Sequence, residues 1–506
     1  MVAGETRMPS HILLQNATIL VPSGQSNDHV KPLKGHSLLI EDKRIAEISK
    51  LIKPPDGTQI IDCTGKIISP GFIDTHHHVW QTQLKGRHAD QTLLEYLPTG
   101  NMQSSNYIPE DVFWGELGGC LEALDAGTTT LVDHAHINIS PDHTTNAIEA
   151  TVASGIRSVF CYTPTSKVLE WKPELITDGG LLDDWVLSQF ERLGAQAPFG
   201  DGRVQLGLAF DGFMLPRDQV ISLYNKAREI GTKVITAHYA GLYFGNVSPV
   251  DTLESYGLLG PDILLSHATN LTASDIEKLN YAKAWISTTP DTELQMGHGD
   301  IVCFREGCTD MCALGIDCHS NNSGDMVSQM RLALQHERAK RNEELIAEGK
   351  FSRSLNLHVQ DIFRLATIQG ARAIHMEEDL GSLAVGKIAD LVVFDGDSPS
   401  MICASEQDPV AAIVLHSSVR DIDMVIIDGQ IRKQNSKLLP VKIAPSMPGM
   451  TILPQTVNWS QVARMLVSSR DRIENAILKA NATDKEQLVD DLLKMMHAEE
   501  GKFVKL

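Results

Sequence analysis

Three consecutive histidines, His76, His77 and His78, close an apolar run that begins at residue 67. In an extended strand only residues i and i+2 project to the same face, so His76 and His78 can share a ligand while His77 points away. Two imidazoles on one face can bind zinc or a similar divalent ion. The spacing therefore predicts part of a metal site at the end of a strand.

Three further side chains of the metal-binding type, His238, His267 and Asp317, also stand at the ends of apolar runs. If these runs are strands of one barrel, their carboxyl ends converge on the same face. A catalytic metal site keeps one position for water, which can then ionise near neutral pH. Asp317 can take and return a proton, and His267 can polarise the electrophile or orient the water. The pattern predicts a metal-dependent hydrolase.

Five other residues near these run ends are candidates for contact with a substrate: Trp80, Gln81, His136, Glu293 and His319. A tryptophan beside a pair of candidate metal-binding histidines can equally be a packing residue, and His136 can equally be a structural histidine. Glu293 is either an acid of the site or an ordinary surface glutamate. His319 lies two residues after the candidate ligand Asp317, and its alternative role is to position the loop.

Eight cysteines are sparse in 506 residues, which favours reduced thiols. Four of them cluster, but their spacing contains no Cys-x2-Cys pair, so buried core cysteines are favoured over a structural zinc site. The four are Cys303, Cys308, Cys312 and Cys318.

Short β-branched runs alternate with amphipathic helical stretches through the middle of the chain, as in a parallel sheet with crossover helices. The predicted strands are 67–75, 128–134, 156–162, 204–210, 233–238, 262–267, 284–289 and 314–318. Eight such strands indicate an α/β fold with a (β/α)8 TIM barrel over residues 67–375. Two long connections, 79–108 and 319–356, follow the first and eighth strands, where loops usually cover a site.

The two ends of the chain share a different sequence pattern, in which short apolar runs are followed by polar turns. Residues 1–66 and 376–440 are therefore expected to build one small composite β-sandwich. Residues 441–506 are predicted to be helical, with Asn458 as the cap of a long helix. This C-terminal segment would serve packing or subunit contact.

The formal net charge of −20 disfavours nucleic acid and anionic membrane surfaces as partners. A small uncharged or cationic substrate fits this charge better. No run of about 18 apolar residues appears, and the N-terminal stretch lacks a basic start followed by an apolar segment, so we expect a cytoplasmic protein. A homodimer or a higher homo-oligomer is the usual expectation for this architecture.

Several motifs of the chain resemble those of a known superfamily. The stretches SPGFIDTHHH at 69–78, GSLAVGKIADL at 381–391 and LGID at 314–317 resemble the amidohydrolase superfamily. HVWQ at 78–81 and SNNSGD at 320–325 are similar to its branch of triazine hydrolases and cytosine-deaminase-like or S-adenosylhomocysteine-deaminase-like enzymes. The resemblance runs from about residue 11 to 435.

The resemblance implies a barrel flanked by a composite β-sandwich and hydrolysis at a carbon bonded to nitrogen or a halide. It implies one divalent metal ion, zinc first and ferrous iron as the alternative. By motif position, the metal would be bound by His76, His78, His238 and Asp317, with His267 and Asp317 catalytic.

The chain also departs from that branch. Its deaminases usually carry a glutamate three residues after the fifth-strand histidine, where this chain has Gly241. Because the fourth predicted strand contains no lysine that could be carboxylated to bridge two metals, one ion is expected.

These features favour hydrolysis of a carbon–nitrogen bond in a small amide, lactam or related compound. Deamination or dechlorination of an N-heteroaromatic ring is the alternative, and a non-catalytic scaffold with the same fold is an alternative of another class.

Overall fold

A computed structural model gives the architecture of the chain. It describes residues 11–24, 28–240, 248–450, 452–496 and 503–504. Among these residues, no helix combines the length and the apolar character that crossing a membrane requires.

The strands of the described residues are, in chain order, β1 (His11–Ser23), β2 (His29–Glu41), β3 (Arg44–Ser49), β4 (Gln59–Asp62), β5 (Lys66–Pro70), β6 (Phe72–His77), β7 (Thr128–Asn138), β8 (Arg157–Pro164), β9 (Val168–Glu170), β10 (Ile176–Thr177), β11 (Val204–Ala209), β12 (Ile235–Tyr239), β13 (Ile263–His267), β14 (Trp285–Thr288), β15 (Cys312–Leu314), β16 (Leu391–Asp395), β17 (Ile422–Ile427), β18 (Gln430–Gln434), β19 (Lys437–Leu438), β20 (Val441–Ile443) and β21 (Gln455–Val457).

The α-helices of the same residues are α1 (Leu93–Thr99), α2 (Pro109–Asp125), α3 (Pro141–Ser154), α4 (Asp184–Gln196), α5 (Arg217–Ile230), α6 (Pro249–Ser255), α7 (Ala273–Ala282), α8 (Pro290–Gln295), α9 (Met326–Ala347), α10 (Val359–Leu365), α11 (Ile368–Ala373), α12 (Ala404–Gln407), α13 (Pro409–Ala411), α14 (Trp459–Lys479) and α15 (Lys485–Met495).

The chain divides into two compact units. The first contains residues 1–73, 123–129 and 325–439, and the second contains 74–122, 130–324 and 440–506. The first unit is built on a nine-stranded sheet in the order β19-β18-β17-β16-β5-β1-β2-β3, with β4 beside β1. Antiparallel pairing of β5 with β16 joins the N-terminal strands to the C-terminal ones. The predicted composite β structure from the two chain ends is confirmed.

Alternating apolar residues of these strands fill the core of the first unit, where Leu14, Ile68, Leu391 and Ile426 are almost fully buried. The tight turn between β17 and β18 requires Gly429, which has a φ of 73°. A Cβ at this position would lie 2.0 Å from the carbonyl oxygen of Asp42. Only glycine allows this turn to approach the neighbouring chain so closely.

The second unit is built on an eight-stranded parallel sheet in the order β15-β14-β13-β12-β11-β8-β7-β6. A parallel bridge between His77 and Asp317 brings the first and last strand regions together. With helices between the strands, this is the predicted (β/α)8 barrel. Both predictions of fold class are confirmed.

Two predicted strands differ in detail from the structure. The run 67–75 is two strands, β5 and β6, separated at Gly71, where a Cβ would lie 2.1 Å from the Oγ1 of Thr129. The eighth run, 314–318, lies mostly beyond β15, so Asp317 stands after its strand and has a left-handed φ of 68°. A run of apolar letters cannot show where close backbone contact interrupts a strand.

The two long connections also have more structure than expected. Residues 79–108 contain a 3-10 turn over Val79–Leu84, the helix α1 and a second 3-10 turn over Asn101–Asn106. Residues 319–356 are mostly the 22-residue helix α9. The predicted C-terminal helix is present as α14, and the side chain of Asn458 accepts the N–H of Gln461 at 3.1 Å.

Candidate active site

The carboxyl ends of three barrel strands, β6, β12 and β15, bring together His76, His78, His238 and Asp317. One ligand atom from each of the four residues lies within 4.8 Å of those from the other three. Oδ1 of Asp317 is 3.1 Å from Nε2 of His76 and 3.1 Å from Nε2 of His78. Nε2 of His238 is 3.3 Å from Nε2 of His78. The four residues that the sequence singles out therefore share one centre.

The approach of the last strand to the first depends on Gly315. A Cβ at this position would lie 2.9 Å from both the backbone nitrogen and the oxygen of His76. Without it, the N–H groups of Ile316 and Asp317 reach the carbonyl oxygen of His76 at 3.1 and 2.8 Å. These bonds hold the carboxylate of Asp317 beside the histidine pair.

The second ring nitrogen, Nδ1, of each of the three histidines is held by a neighbouring oxygen. These pairs are His76 with Oγ of Ser266 at 2.8 Å, His78 with the carbonyl oxygen of His134 at 2.9 Å, and His238 with Oδ2 of Asp211 at 2.8 Å. A carbonyl oxygen and a carboxylate can only accept, so Nδ1 of His78 and of His238 must donate. In the neutral ring, Nε2 then carries a lone pair.

The centre is therefore a meeting point of acceptors. The Nε2 lone pairs of His78 and His238 face each other at 3.3 Å, and the Asp317 carboxylate lies beside them. Acceptors this close repel one another unless a cation lies between them. The set of three imidazoles and one carboxylate, each imidazole fixed from behind, is the donor set that a divalent transition metal takes. The residues present fit such an ion.

Burial and neighbouring charges set the protonation of these groups. Burial would raise the pKa of Asp317, but the neighbouring imidazoles of His76 and His78 hold that pKa well below its ordinary value. Burial lowers the pKa of His76 well below the ordinary range. The Asp211 carboxylate outweighs burial at His238 and raises its pKa. At neutral pH Asp317 is an anion and His76 is a neutral ligand.

His267 ends β13 beside this centre, with a left-handed φ of 70°. Its ring stacks on His238 with centroids 5.6 Å apart and meets the edge of His76 at 5.4 Å. Its Nδ1 is 2.8 Å from Oγ1 of Thr289. A non-glycine residue held at positive φ beside such a cluster is backbone strain at a functional site.

Trp80, Gln81 and His136 are buried in the same region. The indole Nε1 of Trp80 donates to Nδ1 of His136 at 3.0 Å, and the His136 ring lies 3.9 Å from the ring of His78. The amide of Gln81 donates to the hydroxyl of Tyr96 at 2.5 Å. Trp80 thus holds His136 against a candidate ligand, while Gln81 ties its turn to α1.

Glu293 and His319 occupy different environments. Oε1 of Glu293 lies 3.7 Å from Nδ1 of His267, so this glutamate is buried beside the cluster. His319 packs its ring on His77 at 4.8 Å and bonds Glu122 at 2.8 Å. The structure does not bring His319 to the four candidate ligands, because the side chain of this residue, two positions beyond Asp317, turns toward Glu122.

Two further residues of this region, Asp211 and His298, are not among the candidates predicted from the sequence. Asp211 directly follows the fourth predicted strand, and the rule that selected Asp317 from its strand end would have found it. His298 lies in the chain after α8, where no periodic pattern marks it. It is almost fully buried, meets the His267 ring edge-on at 4.5 Å, and burial lowers its pKa to about 4. Gly241, where a glutamate would be expected, lies outside the described residues.

The clustered cysteines are core residues. Cys303, Cys308, Cys312 and Cys318 are fully buried. Among the described residues, the groups of side chains close enough to share an ion contain only histidine and aspartate. This agrees with the preference for buried core cysteines over a structural zinc site.

Comparisons with known proteins agree with this geometry. A profile of the amidohydrolase family matches residues 67–432. The chain is 27% identical over 442 residues to a 5'-deoxyadenosine deaminase of Methanobrevibacter smithii, covering 84% of this chain and 93% of that one. It is 27% identical over 418 residues to a 5-methylthioadenosine/S-adenosylhomocysteine deaminase of Pyrococcus abyssi, covering 80% and 91%.

Solved structures share the fold. An atrazine chlorohydrolase of Arthrobacter aurescens complexed with zinc has a TM-score of 0.72 at 20% identity, covering 91% of this chain and 100% of that one. An adenosine deaminase of Xanthomonas campestris with bound zinc has a TM-score of 0.72 at 19% identity, covering 92% and 98%.

Proposed function

The chain belongs to the amidohydrolase family and is a hydrolase of carbon–nitrogen bonds other than peptide bonds, and from this premise we propose how it holds its metal and what it cleaves. One divalent ion, zinc, is bound by His76, His78, His238 and Asp317. The observation that carries this proposal is that the Nε2 atoms of three histidines and the Asp317 carboxylate meet at distances of 3.1–3.3 Å, while Nδ1–H of His78 and of His238 is donated to oxygens outside the cluster.

The sequence of the fourth barrel strand, β11, favours a single zinc ion over two ions. β11 and the two residues after it carry no lysine that could be carboxylated to bridge a pair of metals. Zinc is preferred to ferrous iron because an atrazine chlorohydrolase and an adenosine deaminase that share the fold hold zinc. When bound, it would supply Lewis-acid activation of a water molecule.

The protein's own groups then handle protons. Oδ1 of Asp317 faces the two Nε2 atoms, so Oδ2 remains to take the proton of the attacking water and pass it to the leaving nitrogen. His267 is stacked on His238, where it can orient the water or polarise the electrophile. Trp80, Gln81 and His136 are buried near the centre and would contact or position the substrate, and Glu293 is buried beside His267.

The proposed substrate is a small amide, lactam or related compound. Hydrolytic deamination of a purine-type ring is the second candidate, and it is favoured by relatives named as deaminases of adenosine compounds. The glycine at position 241 weighs against it, because a glutamate there would serve the ring nitrogen. The protein would act as a homodimer or a higher homo-oligomer.

A substrate panel with purified protein tests this proposal. The panel contains lactams, linear amides, 5'-deoxyadenosine and chlorinated triazines, and ring opening, ammonia and chloride are measured separately. We expect zinc-dependent cleavage of an amide or lactam, lost on chelation and restored by added zinc. Ammonia release from the adenosine compound alone would instead favour the second candidate. Turnover that persists after the metal is stripped would contradict both.

A further inference from the structure

A buried chain of polar contacts joins Glu293 to His267. Oγ1 of Thr289 is 2.8 Å from Nδ1 of His267 and 3.4 Å from Oε1 of Glu293. The same Oε1 accepts the backbone N–H of Thr289 at 2.7 Å. All three side chains are 2% exposed or less. The carboxyl group is therefore fixed on the side of the His267 ring that carries Nδ1.

The direction of the bonds follows from the number of protons. The Thr289 hydroxyl has one hydrogen and touches two groups. If it donated to Nδ1 of His267, its oxygen and Oε1 of Glu293 would face each other as two acceptors. If it donates to Oε1, it accepts from Nδ1–H, and every contact pairs a donor with an acceptor. Oε1 also lies 3.7 Å from Nδ1, where it favours a proton on that nitrogen.

We propose that Glu293 is a positioning residue that acts through Thr289 to hold the proton of His267 on Nδ1, which leaves Nε2 as a proton acceptor. The proposal rests on the proposed function for the value of that acceptor. Glu293 would then fix the tautomer of His267, which lies next to the proposed ligands. It would neither replace the glutamate absent at position 241 nor contact the substrate.

To hold Thr289 in this way, Glu293 needs an acceptor oxygen and does not need a negative charge. Burial raises the pKa of Glu293 well above its ordinary value. A protonated carboxyl group still offers its carbonyl oxygen to the Thr289 hydroxyl and N–H. Glutamine at position 293 offers the same oxygen, whereas leucine offers none. Serine at position 289 keeps the hydroxyl that valine removes. The structure thus provides a conservative and a disruptive variant at each position.

The tautomer of His267 can be measured without any substrate. Full-length, zinc-loaded protein is labelled with 15N-histidine, and the His267 signals are identified by their loss in His267→Gln. We expect a proton on Nδ1 in the wild type, Thr289→Ser and Glu293→Gln. Thr289→Val and Glu293→Leu should move it to Nε2 or give a mixture. Thr288→Val, a change at the neighbouring buried threonine outside this chain of contacts, is the matched control and should leave the signals unchanged.

The wild type protonated on Nε2, or an unchanged tautomer in both disruptive variants, would overturn the proposal. Should Glu293→Leu fail to fold, Thr289→Val carries the test alone. The tautomer result stands even if the substrate panel shows no carbon–nitrogen cleavage, so failure of the proposed function and failure of this inference give different results.

Kinetics distinguish positioning from substrate contact. With the substrate found in the panel, Thr289→Val and Glu293→Leu should each lower kcat about tenfold or more, with KM within about twofold of the wild type. The double variant should lose no more than the larger single loss, since both changes break one chain of contacts. A raised KM with unchanged kcat in Glu293→Leu, or additive losses in the double variant, would assign Glu293 to the substrate and overturn the proposal.

Discussion

At the scale of single residues, the proposed mechanism gives the carboxylate of Asp317 two roles, one for each of its oxygens. Oδ1 stands 3.1 Å from two histidine nitrogens, and the positive φ of 68° aims the side chain there. Oδ2 is the oxygen left for proton transfer. An amide at this position keeps the shape, but it cannot carry the proton.

Asp317→Asn is therefore expected to lower kcat by about 1,000-fold or more, because both proton transfer and metal binding are weakened. Steady-state kinetics at saturating zinc measures the loss. The exposed Asp310, changed to asparagine, is the control and should leave kcat unchanged. Near wild-type turnover in Asp317→Asn would remove this residue from the mechanism.

Asp211 is the residue that holds His238 from behind. Its Oδ1 accepts the His238 backbone N–H at 2.7 Å, and its Oδ2 takes the ring Nδ1–H at 2.8 Å. Partners of this kind orient a metal-binding ring and raise its basicity. Asp211→Ala should weaken zinc affinity by about 10- to 100-fold in competition with a chromophoric chelator. Asp218→Ala, at an exposed aspartate in the first turn of α5, should leave the affinity unchanged, and equal affinities in the two variants would contradict this role.

At the scale of elements, the sequence contains enough to predict the ligand-bearing strand ends. His76 and His78 follow from the two-residue period of a strand, and His238 follows from its place at the end of an apolar run. The barrel rule then converts separate run ends into one site. Asp211 obeys the same rule and could have been found.

Other features of the site could not be predicted from the sequence, because they depend on contacts between distant segments. The break at Gly71 is set by Thr129, and the place of His319 is set by Glu122. The chain of contacts from Glu293 to His267 joins β13 to α8, and no spacing in the sequence shows it. These are tertiary contacts, which local patterns of residue type do not contain.

The C-terminal helices contact the long connection that follows β6. In α14, Ser469 donates to Asp111 at 2.6 Å and accepts the amide of Gln83 at 3.0 Å. Arg472 bonds the same Asp111, which is nearly buried. The segment predicted to serve packing or subunit contact thus packs within its own chain.

Arg472→Met should destabilise the fold by about 1–3 kcal/mol, because it leaves the buried Asp111 carboxylate short of a charged partner. Chemical denaturation measures the change. Arg470→Met, at a largely exposed neighbour on the same helix, should change stability by less than about 0.5 kcal/mol. Protease cleavage within residues 79–108 should be faster in Arg472→Met than in Arg470→Met. Equal stability of the two variants would contradict a stabilising role for the contact between Arg472 and Asp111.

At the scale of the whole molecule, one buried pair makes stability depend on pH. Glu116 of α2 and Asp133 of β7 are fully buried and interact with each other, so we expect the two carboxyl groups to share a proton at neutral pH. Burial raises the pKa of Glu116 well above its ordinary value and the pKa of Asp133 to about 7. The folded protein therefore binds protons that the unfolded chain releases near pH 4.

Because the folded state binds more protons between about pH 4 and pH 7, this pair lowers stability progressively as the pH rises through that window. Glu116→Gln keeps a donor to Asp133 without the shared proton. Its free energy of unfolding relative to the wild type should increase by at least about 1 kcal/mol from pH 5 to pH 8. A constant difference for Glu116→Gln would contradict the shared proton.

Zinc titration of chelator-stripped protein measures directly how many ions His76, His78, His238 and Asp317 hold. We expect about one tightly bound ion per chain in the wild type and less than about 0.1 in His78→Ala, with the fold of that variant checked by circular dichroism. Two tightly bound ions in the wild type, no tight binding, or unchanged binding in the His78 variant would contradict the account.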